Sequence, residues 1–252
     1  MASALAAAEL KPHTVQAFDD YARRLESRLD GQSKGPVFLW SDQEPARNLQ
    51  LRQGRVLVES LTGEDPLRIP DGLIHDWVGA VFIPGTTLGK VMSKAQDYDH
   101  HKDVYSPEVV RSQLVRRNGN DFDVYLRLLK TKFLVTVVLD TYYDVQYVPL
   151  DPARWYVRSH SVRILQVDDA GKPGERQLPA GRDSGYLWRL YSYWRYAERD
   201  GGVYMECEAV SLTRGIPPGT GFLIGGIVRD LPRDSLTNTL RKTRDLLAAP
   251  AR

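Results

Sequence analysis

Hydrophobic positions recur along this chain in two periods, and the change from one to the other outlines its elements. Val15, Phe18, Tyr21, Ala22, Leu25 and Leu29 fall at helical spacing. The pattern predicts a helix from Thr14, a residue able to cap it, to about Leu29, with Gly31 just beyond. Strand-like pieces follow at 36–40, 48–51 and 55–61, separated by segments rich in Gly, Pro and charge. From Gly72 a longer strand is predicted over 73–83, ended by Pro84-Gly85. Thr86 or Thr87 can cap a helix through Leu88, Val91, Met92 and Ala95, which breaks in the polar run 97–107. Alternating segments then predict strands at 109–117, 122–130, 133–148 and 155–167. A terminal hairpin is predicted from 186–196 and 203–213, turning at Gly201-Gly202. The polar loop 168–185 interrupts this meander and is long enough to act as a mobile cover or an oligomer contact.

After the hairpin, 222–228 reads as a short helical piece. From Pro232 an amphipathic closing helix carries Leu236, Leu240, Thr243, Leu246 and Leu247 as its buried stripe. An antiparallel meander followed by one long helix implies an α+β fold, a curved sheet wrapped around the C-terminal helix with a hollow between them. Residues 1–71 read as an extension of one helix and short strands packed on the core, and 72–252 as the main domain.

Composition narrows the function classes. Lys and Arg number 34 against 32 Asp and Glu, so the net charge gives little long-range attraction to nucleic acid or anionic membranes. No apolar run reaches the roughly 18–20 residues needed to cross a bilayer. The single Cys207 excludes an intrachain disulfide, and its alternation with Val203, Met205 and Ala209 reads as a buried apolar position. The start, MASALAAAEL, is similar to the tail of a secretory signal, which implies export to the periplasm or beyond; a frayed terminus of a cytoplasmic protein is the other reading.

The segments 95–109 (AQDYDHHKDVYSPEV), 201–214 (GGVYMECEAVSLTR) and 231–236 (LPRDSL) resemble the START-like helix-grip superfamily, which includes plant allergens of the Bet v 1 type and polyketide cyclases. The resemblance covers about 72–247 and is closest to a bacterial branch; the extra N-terminal segment is not part of the family core. It implies a hollow that takes sterols, phospholipids, quinones, hormones or polyketides, with catalysis in some members, and so fixes fold better than function.

Candidate site residues follow from strand alternation. Phe133, Val135, Val137, Leu139, Thr141, Tyr143, Val145 and Tyr147 share one face that should look inward. In the hairpin Arg189, Tyr191 and Tyr193 alternate with Trp188, Leu190 and Trp194, while Glu206 and Glu208 share a face of the partner strand. Two readings stand: the Arg and Glu side chains pair inside the hollow beside a wall of tyrosines, or they form exposed cross-strand pairs on the solvent side. His75 and Trp77 share a strand face and are further cavity candidates. His100-His101 with Asp97, Asp99 and Asp103 has metal-ligand chemistry, but adjacent loop histidines diverge, and structural or solvated roles fit better. No metal or other cofactor is implied, and no G-x-S-x-G, P-loop or H-E-x-x-H pattern occurs. The expected function is binding of a hydrophobic or amphipathic, lipid-like molecule as a carrier. The alternatives are a cyclase- or hydrolase-like enzyme using pocket acids or bases such as His75, Tyr143, Tyr191 and Glu206, or an interaction module with a filled interior.

Overall fold

A computed structural model of the chain describes residues 8–63, 66–132, 135–215 and 221–248. Phe133 and most of the signal-like start, residues 1–7, lie outside the described residues. The N-terminal part runs through a short strand β1 (Ala8–Glu9), helix α1 (Pro12–Lys34), a 3-10 turn at Trp40–Gln43, helix α2 (Pro45–Arg52) and strands β2 (Leu57–Ser60) and β3 (Leu67–Ile69). The first long strand, β4 (Gly72–Pro84), leads to α3 (Leu88–Ala95) and one turn of α4 (His101–Val104). Four long strands follow, β5 (Val109–Asn118), β6 (Asp121–Lys132), β7 (Val135–Asp151) and β8 (Arg154–Asp168). After the short β9 (Arg176–Gln177) and β10 (Arg182–Asp183), the chain ends in the hairpin β11 (Arg189–Arg199) and β12 (Gly202–Arg214) and the helix α5 (Gly221–Leu247).

The sheet order is β2-β4-β12-β11-β8-β7-β6-β5, with β3 also on β4 and β9 on β8. Its pairings are antiparallel. The first long strand thus lies against the last, and α5 returns across the face they share. Contact there is close because Gly79 has no side chain: a Cβ at this position would stand 2.7 Å from Leu240 Cδ1 and 3.1 Å from Leu236 Cδ2. Leu236 and Leu240 are buried in the same cluster as Val81, Ile83, Met205 and Cys207. This is a helix-grip architecture of the α+β class.

The opposite, convex face is also covered. Thr14, Phe18, Ala22, Leu25 and Leu29 of α1 are buried, four of them apolar, and Phe18, Leu25 and Leu29 pack on Ile74, Tyr156, Trp188, Tyr193, Val210 and Leu212. Phe38, Leu39, Trp40 and Leu51 cover Val78, Ala80, Phe82 and Tyr204 beside them. Under this layer lies Arg195, fully buried, 2.6 Å from Glu206 and 3.8 Å from Glu208. Glu206 accepts hydrogen bonds from the amides of Trp40 (2.9 Å) and Ser41 (3.2 Å). Arg195 donates to Gln32 Oε1 and the Phe38 carbonyl, and Arg28 of α1 pairs with Glu208. A buried charge without partners costs several kcal/mol, so these contacts fix the N-terminal layer in place.

Several local expectations change. The helix α1 begins at Pro12, so Thr14 is inside it and donates its hydroxyl to the Pro70 carbonyl at 3.0 Å rather than capping. Residues 48–51 are helical, not extended, because Pro45 starts a helical turn and Leu51 is buried against the sheet. The hairpin turns on Asp200 and Gly201, both at positive φ (56° and 75°), the backbone of a type I′ turn. The C-terminal helix is continuous from Gly221 and passes through Pro232. The loop 168–185 is tied to the convex face: Glu175 pairs with Arg127 at 2.8 Å, Gln177 bonds Asp140 at 2.7 Å, and Arg127 and Asp140 are themselves bidentate.

Two consequences are measurable. Leu240→Ala should lower stability by about 2–5 kcal/mol, and Gly79→Ala by about 1–3 kcal/mol through overpacking against α5. Unchanged urea midpoints for both would mean that α5 is not seated on β4.

The second concerns Asp76, which is buried and bonded by the Tyr21 hydroxyl at 2.6 Å. Burial, then the neighbouring Glu208 carboxylate, push its pKa up to about 7, against the opposing effects of the Tyr21 hydrogen bond and of Arg28. A carboxyl with a raised folded pKa favours the fold while protonated, and that contribution is lost as pH rises from about 4 to about 7. Asp76→Asn stays neutral, so its stability relative to wild type should grow by about 2 kcal/mol between pH 5 and pH 8. Parallel pH slopes in chemical denaturation would refute this.

Candidate functional site

The concave face and α5 do not fill the space between them. They enclose a cavity of about 320 Å³. Its walls come from alternate positions on the central strands, because side chains on one face recur every second residue. They are Val124, Leu126 and Leu128 on β6, Val137, Leu139, Tyr143, Val145 and Tyr147 on β7, and Leu190, Trp194 and Tyr196 on β11. Met205 and Cys207 on β12 and Leu231, Leu236 and Leu246 on α5 complete it. Leu246 is 49% exposed and stands at the rim.

Polar groups are few and nearly all have partners. At one end the hydroxyls of Tyr98 and Tyr147 meet at 2.7 Å, and Tyr147 donates to the Ala95 carbonyl at 3.0 Å. Burial holds both phenols far above their ordinary pKa, so they are neutral. Tyr105 and Thr243 share a hydrogen bond of 2.9 Å. Glu108 and Lys130 form an ion pair; Lys130 also donates to Ser235 at 2.7 Å, and Asn238 to Glu108 at 2.8 Å. Burial alone would raise the Glu108 pKa, but Lys130, Asn238 and Ser235 together hold it below the usual value. Lys94 pairs with Asp97 at 3.4 Å, and Lys242 donates to the Ser106 carbonyl. Every cavity-lining Lys and Glu therefore already has an opposite charge or a carbonyl.

The candidates named from sequence separate onto two faces. Tyr143 and Tyr147 line the cavity. His75 and Trp77 are on the helix side of β4, in register with Ser211 and Ala209, but outside the cavity wall. His75 is fully buried and bonds Thr213 Oγ1 at 3.1 Å, and Trp77 packs against the cluster under α5. The hairpin residues are on the other face. Tyr191 packs edge-on against Phe18 of α1 and stacks on His160, and Tyr193 donates to Glu26 of α1 at 3.0 Å. Arg189 shares their strand parity. Glu206 and Glu208 belong to the buried network around Arg195. They are neither in the hollow nor solvent-exposed cross-strand pairs: both faces of this hairpin are buried, and the polar one lies beneath α1.

Sequence reasoning missed Leu190, Trp194 and Tyr196 as wall residues; the signal was their alternation with the apolar series Met205, Cys207 and Ala209 across the hairpin. It also set His101 aside as structural or solvated. The adjacent histidines do diverge: His100 is exposed and bonded to Asp97 Oδ1 at 2.6 Å, whereas His101 turns inward to the cavity.

A second cleft, of about 560 Å³, lies between α1 and the convex face and contains Tyr21, Arg28, Arg47, Asp76 and Glu208. Its walls are largely satisfied by pairing across it, Arg28 with Glu208, Tyr21 with Asp76 and Arg47 with Glu44 and Glu59.

No protein-family model matches the chain, and no curated protein matches it in sequence. Solved structures resemble it in the course of the backbone. A STAR-related lipid transfer protein from Xanthomonas axonopodis is 17% identical, over 72% of this chain and 98% of its own, at a TM-score of 0.47. A START superfamily protein from Mycobacterium smegmatis is 9% identical, over 68% and 96%, at 0.46. The Zhui aromatase/cyclase from a Streptomyces species is 10% identical, over 69% and 93%, at 0.43. At these values the likeness carries no information about ligand or reaction. The chain has a START-like helix-grip fold by its own strand order and the seating of α5.

The two faces make different predictions. Trp194→Ala should change the affinity for an apolar fluorophore by about fivefold or more, equivalent to ~1 kcal/mol. Tyr191→Ala should leave that affinity within about twofold and lower stability by about 1–3 kcal/mol through lost packing on α1. Fluorescence titration beside thermal denaturation separates them, and the reverse pattern would place the cavity on the wrong face.

Proposed function

We propose that this protein binds a hydrophobic or amphipathic small molecule, lipid-like in character, between its sheet and α5, and that it serves as a carrier. The observation that supports this most directly is the cavity itself. About 320 Å³ remains open beneath a helix whose leucines are otherwise closely packed, and the walls are aliphatic and aromatic. Enclosing apolar ligand surface there contributes on the order of 25 cal/mol per Å², offset by the loss of ligand freedom and side-chain ordering. Glu108 is ion-paired with Lys130 and Lys94 with Asp97, and Lys242 donates to the Ser106 carbonyl, so desolvation would supply most of the binding free energy. The signal-like residues at the start of the sequence support carriage outside the cytoplasm.

Native mass spectrometry of the purified protein, followed by organic extraction, tests the reading. The expected result is a retained amphiphile that extraction removes, after which an apolar fluorophore binds with about one site per chain. A chain that carries no amphiphile and shows no saturable fluorophore binding would refute it.

A further inference from the structure

One ring nitrogen in the cavity wall has no close hydrogen-bond partner among the described residues. His101 opens α4 and its ring is held between Tyr98 and Tyr105, with centroids at 4.7 and 5.3 Å. Its Nε2 is buried and has no hydrogen-bond partner among the described residues, although the ring lines the cavity. Burial lowers the pKa of the imidazole, partly opposed by hydrogen bonding of the ring toward the Lys94 and Ala95 backbone, so the ring is neutral at physiological pH. A buried polar atom without a partner costs about 1–3 kcal/mol. Unlike a rotating hydroxyl, a ring nitrogen fixed between two tyrosines has one direction in which to find one.

The charges of the cavity make the complementary point. Glu108 pairs with Lys130, Lys94 pairs with Asp97, and Lys242 donates to the Ser106 carbonyl, so an ionised ligand group would have to compete with these internal partners for a counter-charge. A hydroxyl, by contrast, donates to a bare Nε2 or accepts from a protonated one, and so suits either neutral tautomer. Resting on the proposed function, we infer that the ligand is a neutral alcohol: an apolar body whose hydroxyl bonds His101 Nε2. His101 is then the residue that selects an alcohol over the corresponding hydrocarbon or carboxylate.

Ser211 Oγ is the other cavity-lining side-chain atom that is buried without a partner among the described residues. It lies on β12, four residues from Cys207 and hence roughly 13 Å along the strand, and provides the internal comparison.

The test is displacement of a bound phenylnaphthylamine fluorophore by n-dodecanol, n-dodecane and dodecanoate, for wild type, His101→Leu, His101→Gln and Ser211→Ala. His101→Leu should weaken dodecanol roughly tenfold, the equivalent of one hydrogen bond, and leave dodecane within about twofold. His101→Gln should recover part of the loss, Ser211→Ala should change neither, and dodecanoate should bind wild type more weakly than dodecanol. If the leucine variant fails to fold, the His101 Nε2 resonance of the wild-type protein decides instead, moving on addition of dodecanol and not of dodecane. The inference is overturned if dodecanol affinity is indifferent to His101, if Ser211→Ala produces the loss, if the resonance is unmoved by bound dodecanol, or if dodecanoate binds most tightly. Failure of the binding function itself is distinct: neither the fluorophore nor any of the three compounds would then bind.

Discussion

The pairing of Arg195 with Glu206 and Glu208 is the constraint on which the arrangement of this protein depends. All three side chains are fully buried on the convex side of the central hairpin, where an unpaired charge would be prohibitively costly. The strand neighbours supply two carboxylates, but the N-terminal layer supplies the rest: the amides of Trp40 and Ser41, the Gln32 side chain, the Phe38 carbonyl and the Arg28 guanidinium. The charges thus require the layer that covers them. The layer in turn decides which face of the hairpin is left for the hollow, since Leu190, Trp194 and Tyr196 must then point the other way.

The hollow exists because α5 is held close at one side and away from the other. Gly79 lets Leu236 and Leu240 approach the backbone of β4. Farther across the sheet the helix is reached by polar contacts, Lys130 to Ser235 and Tyr105 to Thr243, around the open cavity. Tyrosines at its end bond to one another and to a carbonyl rather than to solvent, which leaves His101 Nε2 and Ser211 Oγ as the exceptions in the wall among the described residues.

Much of this architecture was legible in the sequence. The strand alternation of β4 and of β5 to β8, the cap at Thr87 and the leucine stripe of the last helix follow from local periodicity, and they imply a sheet around a helix. Tyr143 and Tyr147 were placed on the inward face because β7 keeps its alternation unbroken; the bulge opposite falls on β8, between the partners of Tyr142 and Tyr143. The hairpin was not legible in the same way. Its two faces carry Trp, Tyr and Leu against Tyr, Arg and Glu, and both are rich enough in aromatic surface to be an interior.

The sequence by itself determined the periods: where the chain is extended, where it is helical, and which residues share a side. It could not determine what covers each side. Whether Glu206 and Glu208 face ligand, water or another part of the chain depends on α1, about 170 residues away, and a two-residue period is blind to contacts across that distance. Likewise, His100 and His101 are equivalent as neighbouring letters. Only the packing of α4 between the sheet and α5 sends one ring to solvent and the other into the cavity, because a single helical turn points adjacent side chains about 100° apart.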